Sequence, residues 1–191
     1  MPVFLKELKR ELQSDRSKVG KDASGNYKQT PPNVIGRLVR KYPVLNVSKQ
    51  TSRAVPRLDW LTFTGLVASE TTGIKYKVSI QFQDMKFKNI QTKQFSIETT
   101  TNDNKKAFHR PPTASKNQVR IKCSCQDFQH RFETQLKIFD GLIGSPRPYT
   151  RKTKPWPEGR PLANATDKIG FCKHVSSLLA HLNSKGLVKE R

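Results

Sequence analysis

From Ile74 to Phe82 the chain alternates without a break. Ile74, Tyr76, Val78, Ile80 and Phe82 fall on one side, and Lys75, Lys77, Ser79 and Gln81 on the other. A period of two is that of a strand with one face buried and one in water. Just upstream, residues 58–69 (LDWLTFTGLVAS) are rich in aromatic and β-branched side chains, and the SETTG stretch between the two runs is a turn signal. Residues 58–82 therefore read as a β-hairpin. KQFSIET (93–99) reads as a further strand, and residues 100–117 as a polar loop carrying a proline pair. Alternation returns in NQVRIKCSC (117–125), where Val119, Ile121, Cys123 and Cys125 share a face.

Helical spacing takes over next. Phe128, Phe132, Leu136 and Phe139 recur at near-helical intervals, as do Phe171, Val175, Leu178, Leu179 and Leu182 in the last element, with Lys185 and Gly186 as its stop. At the other end, Val3, Phe4, Leu5, Leu8 and Leu12 predict a short amphipathic helix, marginal unless it docks on something. A polar Gly-, Ser- and Lys-rich linker follows, then a second short helix over residues 33–42, ended by Pro43. These patterns predict an α+β protein. A basic N-terminal arm with short helices spans residues 1–57. Residues 58–191 form a small antiparallel β-sheet body, including a ββα metal unit at about 117–183 interrupted by a Pro/Arg-rich insertion at 143–168.

The hydrophobic fraction is 34% and the aromatic fraction 8%, so any core is modest and gains from a staple. The staple is suggested by where the cysteines fall. The chain has 3, as a C-x-C (Cys123, Cys125) and a C-x-H (Cys172, His174). On a strand, C-x-C places both sulfurs on one side about 7 Å apart along the backbone, and a bend at the strand end brings them to one ion. With the second pair at a helix start, the set is Cys3His, the tetrahedral complement of a structural zinc. Four protein ligands leave no position for water, so the site argues architecture and not catalysis. The alternative is three ordinary buried apolar cysteines. An iron–sulfur cluster fits the spacing less well than zinc. His181, two helical turns beyond His174, is a competing ligand, whereas His130 and His109 sit on other predicted elements. Asp127 and Glu133 lie near the cysteines and are expected to pair with Arg131 or Arg120.

Charge sets the class of partner. The formal net charge is +21, spread as +8 over residues 1–60, +7 over 61–122 and +6 over 123–191. Such a molecule repels itself and seeks an anionic environment: nucleic acid, an acidic protein or anionic lipid. No run is long and apolar enough to span a membrane, and the first residues are charged too early for a signal peptide. Neither a phosphate-cradling Gly-rich loop, nor a nucleophile elbow, nor an H-E-x-x-H motif is present, so no enzyme and no small-molecule substrate is expected. In the insertion, Arg147, Arg151, Lys152, Lys154 and Arg160 are interleaved with Tyr149 and Trp156 and stiffened by prolines. Such a segment fits a groove on a neighbouring protein, or a phosphate backbone with the aromatics stacking on bases.

The C-x-C…C-x-H pattern resembles the SWIM-type zinc finger, over about residues 117–183. That resemblance implies a ββα zinc unit whose last two ligands lie at a helix start, in proteins that bind DNA or protein. The 46 residues between Cys125 and Cys172 make a longer gap than the family usually has, which leaves transfer of DNA binding in doubt. CSCQDFQHRF, the Pro-rich basic middle and GFCKHVSSLLAHL also resemble a group of tailed-bacteriophage proteins. This second likeness implies a virion component of the tail, baseplate or neck, made in the host cytoplasm, with acidic virion proteins as neighbours. The competing expectation is a nucleic-acid-binding zinc-finger protein, although the last helix commits its regular positions to apolar residues and no recognition helix stands out.

Overall fold

The computed structural model describes residues 3–5, 8, 44–52, 60–68, 73–101, 105–148 and 169–189. Four strands, β1 (Val44–Ser52), β2 (Trp60–Ala68), β3 (Lys75–Phe82) and β7 (Val119–Cys123), form an antiparallel sheet in the order β1-β2-β3-β7. A smaller sheet of β4 (Phe87–Lys88), β5 (Ile97–Thr100) and β6 (Lys106–His109) has the order β4-β6-β5. Two short helices, α1 (Gln126–Arg131) and α2 (Glu133–Ile138), follow β7, and α3 (Lys173–Ser184) comes near the end of the chain. Mixed α and β structure with small antiparallel sheets agrees with the predicted class. None of these helices is long and apolar enough to cross a membrane.

The predicted hairpin is β2 paired with β3, in a register that sets Leu61 against Phe82 and Ala68 against Lys75. Its alternation decides which face is buried. Val78, Ile80 and Phe82 are fully buried, while Lys75 and Lys77 are exposed. Ile74, expected on the inner face, lies just before β3 and is 51% exposed. Phe63 meets Phe82 edge to face at 6.1 Å between ring centroids, the geometry ring quadrupoles favour. Helix α3 lies across this inner face and buries Val175, Leu178, Leu179 and Leu182. It ends as predicted: Gly186 has φ +66°, and the Gly186 and Leu187 amides return to the Asn183 and Leu182 carbonyls at 2.9 Å each. This is a Schellman closure, which favours the residue without a Cβ.

Three expectations change. The helical spacing of residues 128–139 yields two short helices, because Phe132 (φ −122°, ψ −27°) interrupts the run while keeping Phe128, Phe132 and Leu136 buried. The polar loop at 100–117 contains β6, which inserts Ala107 and His109 inward. Four residues flanked by lysines carry too little alternation to be read as a strand. Within the region expected as an arm, residues 44–52 pair with β2 as an edge strand, and Val3, Leu5 and Leu8 are buried in the core. The linker, the helix predicted over 33–42 and most of the insertion lie outside the described residues.

The start of the chain also solves an edge problem. An open strand edge presents unpaired amides and carbonyls that invite association. The outer edge of β7 is closed by the Val119 amide on the Val3 carbonyl (2.8 Å), the Ile121 amide on the Gly141 carbonyl (2.8 Å) and the Ile143 amide on the Ile121 carbonyl (3.1 Å). Gly141 leaves room here, since a Cβ would come within 2.9 Å of Leu136 Cδ2 and 3.2 Å of Val3, and both side chains would have to shift. Because Leu8 is fully buried, Leu8→Ala should destabilise the fold by about 2–5 kcal/mol. Urea unfolding followed by circular dichroism checks this, and an unchanged midpoint would mean that the first residues are no part of the core.

Candidate metal centre

The C-x-C pair is built by a change of element. Cys123 is the last residue of β7, opposite Val78 on the inner face. Ser124 then turns the chain. Its amide bonds the Lys77 carbonyl and its hydroxyl accepts from the Lys77 amide, both at 3.0 Å, so the turn is tied to β3. Cys125 is not a strand residue but the N-cap of α1, with its sulfur accepting the Phe128 amide at 3.3 Å. Cys172 is the N-cap of α3, and His174 stands in that helix's first turn. Phe171 and Val175, buried on either side, hold α3 in the core and so fix where the second pair points.

The ligand atoms of Cys123, Cys125, Cys172 and His174 all lie within 4.8 Å of one another, and all four residues are buried. His174 Nδ1 is 3.9 Å from the sulfurs of both Cys123 and Cys172. Tetrahedral zinc with bonds of about 2.3 Å to sulfur requires ligand atoms about 3.8 Å apart. The four residues can thus hold a metal ion. None of the cysteines is in a disulfide. Tyr76 stacks over the His174 ring at 4.4 Å between centroids and limits how the imidazole can turn. Neither His181, half-buried in α3, nor His130, exposed in α1, nor His109, in the small sheet, belongs to the cluster.

Protons divide unequally among the thiols. The Cys123 thiol donates to Cys125 and holds it far below the ordinary range, helped by Cys172, His174 and the Phe128 amide. The same bond pushes Cys123 up, and burial pushes Cys172 up. These shifts favour the thiolate on Cys125 and the protonated form of Cys123 and Cys172.

A second constellation supports the first, and its chemistry was not legible in the sequence. Glu133, 1% exposed, accepts the Arg147 amide at 2.7 Å and Nε at 2.9 Å, and lies 3.3 Å from Lys122 Nζ. The Arg147 guanidinium also donates to the carbonyls of Ser124 (2.8 Å), Cys123 (3.0 Å) and Cys125 (3.1 Å). It grips the backbone of the C-x-C turn from behind. Grouped by sequence with the partner-facing residues, Arg147 is committed within the chain; Tyr149, Arg151, Lys152, Lys154, Trp156 and Arg160 lie outside the described residues. The Gln129 side chain holds the Pro148 carbonyl at 3.1 Å, and Lys122 Nζ holds that of Ser145 at 2.8 Å. Asp127 pairs with Arg131 at 2.8 Å as expected, and Arg120 Nη2 donates to both carboxylate oxygens of Asp140 at 2.7 Å.

Comparison with known proteins adds no relative: no family model, no curated protein and no solved structure matches the chain.

Two predictions follow the geometry. Removing Arg147 leaves the Glu133 carboxylate buried with only Lys122 beside it and frees three carbonyls. Arg147→Ala should destabilise the fold by about 3 kcal/mol and weaken metal binding roughly 10–100-fold, as read by denaturant titration and chelator competition; equal values for both proteins would reduce Arg147 to a surface residue. Metal binding must also drive the protons off Cys123 and Cys172, whose pKa values are raised, whereas the lowered pKa of Cys125 favours its ionised form beforehand. Apparent affinity should therefore rise with pH, by about a hundredfold per unit near neutrality. Competition against a chromophoric chelator gives the slope, and a threefold proton release would show that Cys125 is protonated too.

Proposed function

We propose that Cys123, Cys125, Cys172 and His174 hold one structural Zn2+ and that the chain is a non-catalytic structural component of a large assembly. The observation that carries this reading is the closed donor set: four buried side chains supply four ligand atoms within 4.8 Å. That leaves a tetrahedral ion no open position for water or substrate. The Arg147 grip on the C-x-C turn favours the same view, since it stiffens the metal loop and leaves nothing for a reacting group to move. Zinc is preferred because three thiolates and an imidazole are its usual structural complement. The net charge of +21 favours docking on acidic neighbours. The resemblance of the C-S-C and C-K-H segments to tailed-bacteriophage proteins makes a virion of that kind, at its tail, baseplate or neck, the assembly we favour. A nucleic-acid-binding protein is the second reading, supported by the spread of positive charge along all thirds of the chain.

Native mass spectrometry tests the metal. One zinc per chain is expected, and its removal by chelator, or Cys172→Ser, should cost several kcal/mol and the compact fold together. A chain that stays folded and metal-free would remove the structural site. The assembly reading is tested by mass spectrometry of purified particles of the virus encoding the chain, where a stoichiometric component is expected. Absence from particles, with duplex DNA binding that falls steeply as salt rises, would favour the nucleic-acid reading instead.

A further inference from the structure

The loops that flank the small sheet, at 84–86, at Phe95 and at 110–117, wall a groove of about 370 Å3 that shares no residue with the metal centre. Lys86, Arg110 and Lys116 stand along it, all exposed, and Asp84 is the only acidic residue lining it. Lys88 adds a fourth cation close by, its Nζ 4.9 Å from the centre of the Phe95 ring that forms part of the groove wall. Among the described residues, Lys86, Lys88 and Lys116 have no acidic partner, whereas Lys106 on the neighbouring strand pairs with Glu98 at 3.1 Å. Cations that line one groove with a single carboxylate among them repel one another, an arrangement that an anionic ligand relieves.

Two further features narrow the ligand. Arg110 is not free to swing: its guanidinium lies 4.7 Å over Phe95 and donates to the Gln94 side chain. Phe95 is 6% exposed and carries both Arg110 and Lys88 over its ring. It therefore offers no face on which a nucleobase can stack, and sites for single-stranded nucleic acid depend on such faces. Met85, Pro111 and Pro112 form the aliphatic part of the lining, with Thr113 and Asn117 as uncharged polar groups beside them. Carboxylates carried on short hydrocarbon stems match a wall of cations over an aliphatic floor.

We propose that this groove binds an acidic, extended polypeptide segment of a partner protein, with Lys86, Lys116 and the fixed Arg110 guanidinium taking its carboxylates. The proposal rests on the acidic-neighbour half of the assembly reading and gives that neighbour a docking site. It needs neither the insertion nor the metal ligands.

Fluorescence anisotropy of the full zinc-loaded chain with labelled polyglutamate, and separately with labelled oligothymidylate, tests it. The double reversal Lys86→Glu/Lys116→Glu is compared with Lys137→Glu/Lys185→Glu, which makes the same change in net charge at exposed positions on α2 and at the end of α3. The groove pair should weaken polyglutamate binding about tenfold or more, and the control pair less than about twofold. Thermal midpoint and zinc content confirm the fold, and Lys86→Gln/Lys116→Gln replaces the reversal if that variant misfolds. Equal losses from both pairs would overturn the groove and leave an acidic partner standing. No polyglutamate binding by the parent chain would overturn both, and a larger loss for oligothymidylate than for polyglutamate would make the groove a nucleic-acid surface.

Discussion

Four side chains able to ligate a metal converge from two places separated by 46 residues of chain, and sheet and last helix meet at that convergence. One pair sits where β7 gives way to α1, the other where α3 begins. Within the cluster the three buried sulfurs and the imidazole have chiefly one another as polar partners, and hydrogen bonds from its neighbours favour the thiolate on Cys125. A bound ion would make the same residues a direct tie between sheet and helix. The hydrophobic contacts of α3 point the same way, because Phe171 and Val175 flank the ligands and pack into the sheet. Metal binding and core packing are thus two statements of one geometry.

Around this tie, the one buried carboxylate among the described residues, that of Glu133, is placed where it fixes the metal loop. A carboxylate 1% exposed is expensive unless its charge is met, and here Arg147 and Lys122 both meet it. Arg147 then uses its remaining donors on the three successive carbonyls of the C-x-C turn. The planar fork of arginine suits this better than the point charge of lysine would. The result is a turn held by β3 on one side and by a buried ion pair on the other. Residues 145–148, from which the Pro/Arg-rich insertion departs, are pinned to the same turn through Lys122 and Gln129.

The groove beside Phe95 obeys a different rule. At the metal centre charge is compensated inside the chain, whereas in the groove Lys86, Arg110 and Lys116 face a single carboxylate, Asp84. That contrast separates the part of the molecule that holds itself together from the part arranged to meet an anionic surface. It also fits a chain whose positive excess is spread along its whole length and is not gathered in a tail.

What the sequence by itself determined are the features carried by strict local period or by rare residues. The alternation from Tyr76 to Phe82 determined the hairpin and its buried face, the spacing from Phe171 to Leu182 determined α3, and the pairing of every cysteine with a near neighbour picked out the ligand set. Each is legible because one residue type in one period has few other readings. Tertiary structure alone decided the rest. Cys125 became a helix cap because Ser124 is tied to β3, a contact 47 residues away in sequence. Val3 and residues 44–52 joined the sheets as edge partners, since open edges of β7 and β2 were there to be paired, and no local pattern announces a vacant edge. Arg147 looked like one more basic residue of an insertion, and only the buried Glu133 beside it gave it a role. Long-range partners of this kind are set by which surfaces the fold leaves facing each other, and that is not written in the period of any segment.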